Sequence, residues 1–208
     1  VNVGITGRNE ESLKTTVAEL EKLGVKAAYS VFDVEEMAQV EQGVASIASQ
    51  LGGIDILINN AGVGDFGSFE DMPVETWEKV MKVNLFGVYY VAKAALPYLK
   101  QNKEGDIVNV ASTAGLKGAP NMSAYCASKA AVISLSQSLM AELRKFNIRV
   151  MTLTPSTIAT DMSIEGKLTD GNPEKVLQPE DFAELIVAGL KLPRRAMLKG
   201  ASLWSTNP

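Results

Sequence analysis

Histidine is absent from all 208 residues, and the only cysteine is Cys126. Those two shortages exclude Ser-His and Cys-His nucleophile systems, an internal disulfide framework and nearly every transition-metal site, so no metal is expected. Cys126 reads as a packing residue, open to oxidation. The most apolar run, Val83 to Leu99, is interrupted by Asn84, Lys93 and Pro97, and it falls short of the roughly 18 uninterrupted residues of a membrane span. Basic residues are not in excess either: the net charge of -4 and a pI near 5.0 speak against a nucleic-acid surface. No signal peptide is visible, and a reducing cytoplasm fits the cysteine usage. Any chemistry must then use Tyr, Lys, Ser, Asn or carboxylates.

What is present is a chain of strands and helices in alternation. Hydrophobic content of 46% can bury one substantial core, and no composition break divides the chain, so one domain is expected over 1–208. The patterning predicts strands at Val1–Ile5, Val25–Phe32, Ile54–Ile58, Asp106–Ala111, Ile148–Leu153 and Ala196–Leu198. It predicts helices at Glu10–Leu23, Glu35–Leu51, Val74–Leu99, Ser123–Phe146 and Pro179–Leu190. Repeated βα units with fully apolar strands imply an α/β, doubly wound parallel sheet with ligands at the carboxyl ends of its strands. Arg8, Asp33, Asn59 to Gly62, Ser112 and Pro155 to Thr160 all fall at such ends.

The densest chemistry lies in Ser112 to Lys129. Tyr125 and Lys129 are four apart in the first turns of a helix and project from one face. A phenol is a poor acid or base at neutral pH, and a neighbouring ammonium is expected to lower its pKa. Ser112, ending a strand, adds a hydroxyl, so three groups can converge on one carbonyl oxygen. Tyr89 and Lys93 repeat the spacing without a serine-ended strand ahead of them, and this pair reads as packing. Gly62, Gly64 and Gly67 match G-x-G-x-x-G, but SerPheGluAspMetPro follows where a helix should open, so the run reads as a turn and a substrate-facing loop.

AsnAsnAlaGly at 59 to 62, Asn84 in ValAsnLeu, Ser112 and TyrCysAlaSerLys at 125 to 129, in that order and separation, resemble the short-chain dehydrogenase/reductases over essentially the whole chain. Within that family the sequence is most similar to bacterial 3-oxoacyl-(acyl-carrier-protein) reductases and their relatives. The resemblance implies a Rossmann fold and hydride transfer from a nicotinamide to a carbonyl, with Tyr125 as proton donor. Lys129 would lower the tyrosine pKa and hold the nicotinamide ribose, Ser112 would bond the carbonyl, and Asn84 would anchor a water. By residue type alone, Asn84 is a satisfied core amide or a helix irregularity. The resemblance also places Asp33 and Val34 at the adenine, Asn59, Ala61 and Gly62 at the adenosine ribose, and Pro155, Ile158 and Thr160 at the carboxamide. Asp33 reads equally as a helix N-cap.

ThrGlyArgAsn at 6 to 9 has no carboxylate and places Arg8 where an arginine accommodates a 2′-phosphate, which favours NADP(H). Arg8 as a solvated residue before a helix is the plainer alternative. The family's first βα unit, with its glycine-rich turn, is absent from this chain, and those residues are expected to precede Val1 in the protein. Expected partners are a small-molecule or acyl-carrier-protein-bound carbonyl substrate and further copies of the chain, as a homotetramer or homodimer. A general carbonyl, diketone or sugar reductase and a catalytically silent nucleotide-binding sensor or scaffold are the competing readings.

Overall fold

A computed structural model describes residues 1–206. Strands β1 (Val3–Gly7) and β2 (Ala27–Val31) flank helix α1 (Glu10–Lys22), and α2 (Met37–Leu51) leads to β3 (Ile56–Asn59). A long helical segment follows as α3 (Val74–Met81), one π-helical turn (Lys82–Phe86) and α4 (Gly87–Gln101). The chain continues through β4 (Gly105–Val110), α5 (Ser123–Leu143), β5 (Ile148–Pro155), α6 (Asp161–Glu165), α7 (Pro179–Leu190) and β6 (Gly200–Leu203).

All strand pairings are parallel, in two groups. β1 pairs with β2, and β3-β4-β5-β6 form a sheet in that order. β4 and β5 are buried along their whole length, and successive side chains serve opposite faces. Ile107, Ile148 and Val150 pack against α2, α4 and α5, while Val108, Val110, Met151 and Leu153 pack against Phe182 of α7. This two-faced burial is why the strands read as continuous apolar runs. α2 ties the two strand groups together: its Ile47 lies over Gly4 of β1, where a Cβ would sit 2.5 Å away. Its Val40 and Val44 share a core with Ala95 and Leu99 of α4.

β3, read as a fully apolar strand, is not buried on both faces: Ile56 and Ile58 are exposed at 38% and 44%. It has a strand partner only on its β4 side, and one of its faces is open. The last strand also differs: it is Gly200–Leu203, not Ala196–Leu198. Ala196 closes a turn on Pro193, and its carbonyl accepts from Arg149, so its backbone is not free to join a ladder.

At the end of the sheet away from the strand carboxyl termini, Asp106 of β4 stands opposite Arg149 of β5 in register. Both are at least nine-tenths buried, and the guanidinium grips the carboxylate through Nε (2.6 Å) and Nη2 (3.2 Å). Arg149 also donates to the carbonyls of Leu190, the last residue of α7, and of Leu192 and Ala196 beyond it, satisfying acceptors that a helix end leaves open. Arg194 adds a second donor to Asp106 at 2.8 Å and donates to the carbonyls of Gly105 and Asn147.

Candidate active site

Parallel strands bring their carboxyl ends to one edge, and there the loop after β3, the segment after β4, the start of α5 and helix α6 come together. The loop after β3 and helix α6 with the residues just past it frame a cleft of about 560 Å³, lined by residues 62–66 together with Met162, Glu165, Gly166 and Lys167. Gly62 is the inner end: a Cβ there would stand 3.2 Å from Asn84 Oδ1 and 3.5 Å from Lys129 Nζ. Glycine therefore keeps the approach to the lysine open. Phe66 forms another wall and meets the Tyr125 ring edge to face, with centroids 5.7 Å apart and planes at 75°.

Tyr125, Lys129 and Ser112 do converge. Lys129 Nζ lies 5.7 Å from the centre of the Tyr125 ring, and the nearby Ser112 hydroxyl favours the ionised form of the phenol. The electrostatics reverse the sequence expectation. Burial pushes the Tyr125 phenol above its ordinary value of 10, with Ser112 acting in the opposite direction. Lys129 does not lower it, because its ammonium donates to the Val110 carbonyl at 3.0 Å and is itself disfavoured by burial, which draws its pKa down to about 8. At neutral pH the phenol is protonated, the state required of a proton donor.

A stability prediction follows from Lys129, which is 4% exposed. Below pH 8 the ammonium is charged in both folded and unfolded chains, so the folded state bears its full burial cost. Between about 8 and 10.5 the folded protein sheds the proton while the unfolded chain keeps it, and stability rises with pH. Lys129→Met, after losing the bond to Val110, is expected to gain about 1–2 kcal/mol at pH 7. That advantage should vanish above pH 10. Thermal melts at both pH values test it, and a variant that melts lower at pH 7 would refute it.

Asn84 occupies the π-helical turn and is fully buried. Its Oδ1 accepts from Val63 N at 2.8 Å, while Nδ2 donates to Val63 O and Ser128 Oγ, each at 3.0 Å. Ser128 in turn donates to the Tyr125 carbonyl. The Asn84 side chain thus ties the loop beside the cleft to the turn that bears Tyr125, and the satisfied-amide reading describes it. Ser128 was not singled out from sequence, although it lies between Tyr125 and Lys129 on a buried helix face.

Several expected cofactor residues are placed differently. Asn59 is buried, and its Nδ2 donates to Asn109 Oδ1 at 2.8 Å. Asn109 donates to Ser136 Oγ, which donates to Val132 O. The Asn59 amide nitrogen is thus engaged within this hydrogen-bonded chain. Val34 packs on Gly87, where a Cβ would sit 2.8 Å from Val34 Cγ2, leaving its backbone for contacts. The carbonyl of Ile158 accepts from Thr160 N and from the Ser163 hydroxyl. Thr160 precedes α6, and its N–H donates to Ser163 Oγ. Pro155 ends β5, while Ala61 and Gly62 leave their loop backbone accessible. Arg8 and Asp33 lie 3.7 Å apart at the ends of β1 and β2. Asp33 Oδ1 also accepts from Glu35 N, so it makes a local turn, whereas the α2 cap is Glu36. The Tyr89 and Lys93 pair proves exposed, with Nζ 3.2 Å from the phenol oxygen, and is not packed. The described residues contain no cluster of metal-binding side chains and no helix long and apolar enough to cross a membrane.

A parallel sheet with a serine, a tyrosine and a lysine gathered at its carboxyl edge marks an α/β oxidoreductase. The family model described as short chain dehydrogenase matches residues 1–170, and the chain belongs to that family. It is 39% identical over 168 residues to "inactive 2-(S)-hydroxypropyl-CoM dehydrogenase 2" of Xanthobacter autotrophicus, covering 74% of this chain and 73% of the relative. It is 35% identical over 188 residues to the 3-oxoacyl-[acyl-carrier-protein] reductase FabG of Thermotoga maritima, covering 86% and 76%. Among solved structures, the alcohol dehydrogenase of the archaeon Thermococcus sibiricus complexed with 5-hydroxy-NADP superposes with a TM-score of 0.91 at 26% identity, over 100% of this chain and 87% of that one. Likeness to the carrier-protein reductases is therefore one of several.

Proposed function

We propose that the protein reduces a carbonyl to a hydroxyl, using a nicotinamide dinucleotide as hydride donor and Tyr125 as proton donor. The observation that carries this reading is the convergence of Tyr125 with Ser112 and Lys129 next to Gly62 and Phe66, which line the cleft. The residues present fit such a cofactor. Gly62 leaves space against Lys129 that a Cβ would fill, and an ammonium there can hold ribose hydroxyls. When bound, the dinucleotide supplies the hydride. The chain's own groups do the rest. Ser112 donates a hydrogen bond to the carbonyl oxygen, and Tyr125 Oη passes its proton to that oxygen as negative charge develops.

NADPH is the favoured donor because Arg8 can meet a 2′-phosphate, with Asp33 holding the guanidinium nearby. A 3-oxoacyl thioester on a carrier protein is the leading substrate, supported by the similarity to the Thermotoga maritima reductase. A general ketone, diketone or sugar reductase is the alternative. A relative named inactive also supports a second reading, a silent nucleotide-binding protein, although Asn84, Ser112, Tyr125 and Lys129 are all present here. NADPH oxidation is to be followed with an acetoacetyl thioester and with butane-2,3-dione. Turnover of the thioester is the expected result; turnover of the diketone alone moves the assignment to a general carbonyl reductase, and silence on both rejects the reductase reading.

A further inference from the structure

Phe66 is held from three sides. Its ring and that of Tyr125 meet edge to face, and two glycines from separate elements also lie against it. A Cβ on Gly64 would lie 2.7 Å from Phe66 Cζ, and a Cβ on Gly166, just past α6, would lie 2.9 Å from Cε2. Met162 Sδ backs the first of these at 3.1 Å. The loop itself is latched to the entrance of α5 by Gly67 N donating to Asn121 O at 2.9 Å. Glycine at 64 and 166 thus leaves the space that the ring occupies beside Tyr125. A carbonyl oxygen within hydrogen-bond reach of Tyr125 Oη, roughly 3 Å, brings a substituent of its carbon against this ring. The rest of the cleft leads to the charged side chains of Asp65, Glu165 and Lys167.

We propose that Phe66 is a specificity-determining residue: its ring limits the substituent beside Tyr125 to a small apolar group and directs the larger, polar part of the substrate toward Asp65, Glu165 and Lys167. This rests on the carbonyl-reductase reading. Removing the ring opens space for about six carbon atoms, and differences of that size in an apolar pocket change selectivity by at least 10-fold.

The test compares butane-2,3-dione with 1-phenylpropane-1,2-dione in the wild type, Phe66→Leu and Phe66→Ala. The ratio of kcat/KM for the phenyl to the methyl substrate should rise about 10-fold or more in Phe66→Ala and less in Phe66→Leu. Gly64→Ala, which pushes on the ring, should lower turnover of both substrates and be rescued by Phe66→Leu. An unchanged ratio overturns the proposal. A readout independent of turnover is the ultraviolet titration of Tyr125, isolated by difference from Tyr125→Phe. Ser112, Cys126 and Lys129 keep their places, so loss of the covering ring should bring the phenol back toward 10. If neither diketone turns over in the wild type, the reductase reading falls and this titration decides the placement of the ring: a lowered value upholds it, an unmoved one overturns it.

Discussion

Tyr125→Phe is expected to lower kcat for carbonyl reduction by about 10³-fold, within the range that a positioned proton donor contributes. Dinucleotide affinity should stay within about threefold, because the change removes one oxygen and keeps the ring that packs on Phe66. Burial holds the proton on the wild-type phenol through neutral pH, and no histidine exists to take its place. Water is the remaining proton source, and the same burial limits its access. Steady-state kinetics with NADPH, paired with a fluorescence titration of the dinucleotide, measures both effects. Retention of a tenth or more of the activity would remove Tyr125 from the mechanism.

The largest effect on stability is expected from Asp106→Asn. Asp106 is the shared counter-charge of Arg149 and Arg194, and with Arg149 it is almost wholly enclosed. Neutralising one member of a buried pair leaves an uncompensated charge, at a cost of about 3–5 kcal/mol. In a chain of this size that lowers Tm by roughly 10 °C. The damage should spread to the end of α7, since Arg149 also holds the carbonyls of Leu190, Leu192 and Ala196. Calorimetry reads the shift, and a Tm unchanged to within about 2 °C would show that the ion pair is dispensable.

The layered α/β plan was legible because both periodicities are strong: apolar runs make β4 and β5, and helical spacing marks α1, α2 and α7 almost to their ends. Ser112, Tyr125 and Lys129 were legible for a related reason. A strand end and a helical spacing of four are local facts that survive folding. The Val74 to Leu99 run read as one helix because a single inserted residue hardly alters its periodicity, yet that insertion makes the π-helical turn holding Asn84. The direction of the Tyr125 shift was not legible, since spacing says that an ammonium is near but not that the same burial weakens it. Nor could residue type reveal that Asn59 faces a second asparagine 50 positions away, or that Phe66 needs glycines at both 64 and 166. Arg194 reaches Asp106 across 88 positions, a distance over which no pattern in the chain carries information.

The amide chain through Asn59, Asn109 and Ser136 has a consequence for how the strands find one another. β3 reads Ile56, Leu57, Ile58, so its apolar pattern barely distinguishes one alignment against β4 from the next. Sliding by one residue would exchange similar side chains, but it would separate Asn59 from Asn109 and leave buried amides without partners, at about 1–3 kcal/mol each. The two asparagines therefore act as an alignment key: the greasy residues drive the strands together, and the polar pair decides which of several nearly equal pairings survives.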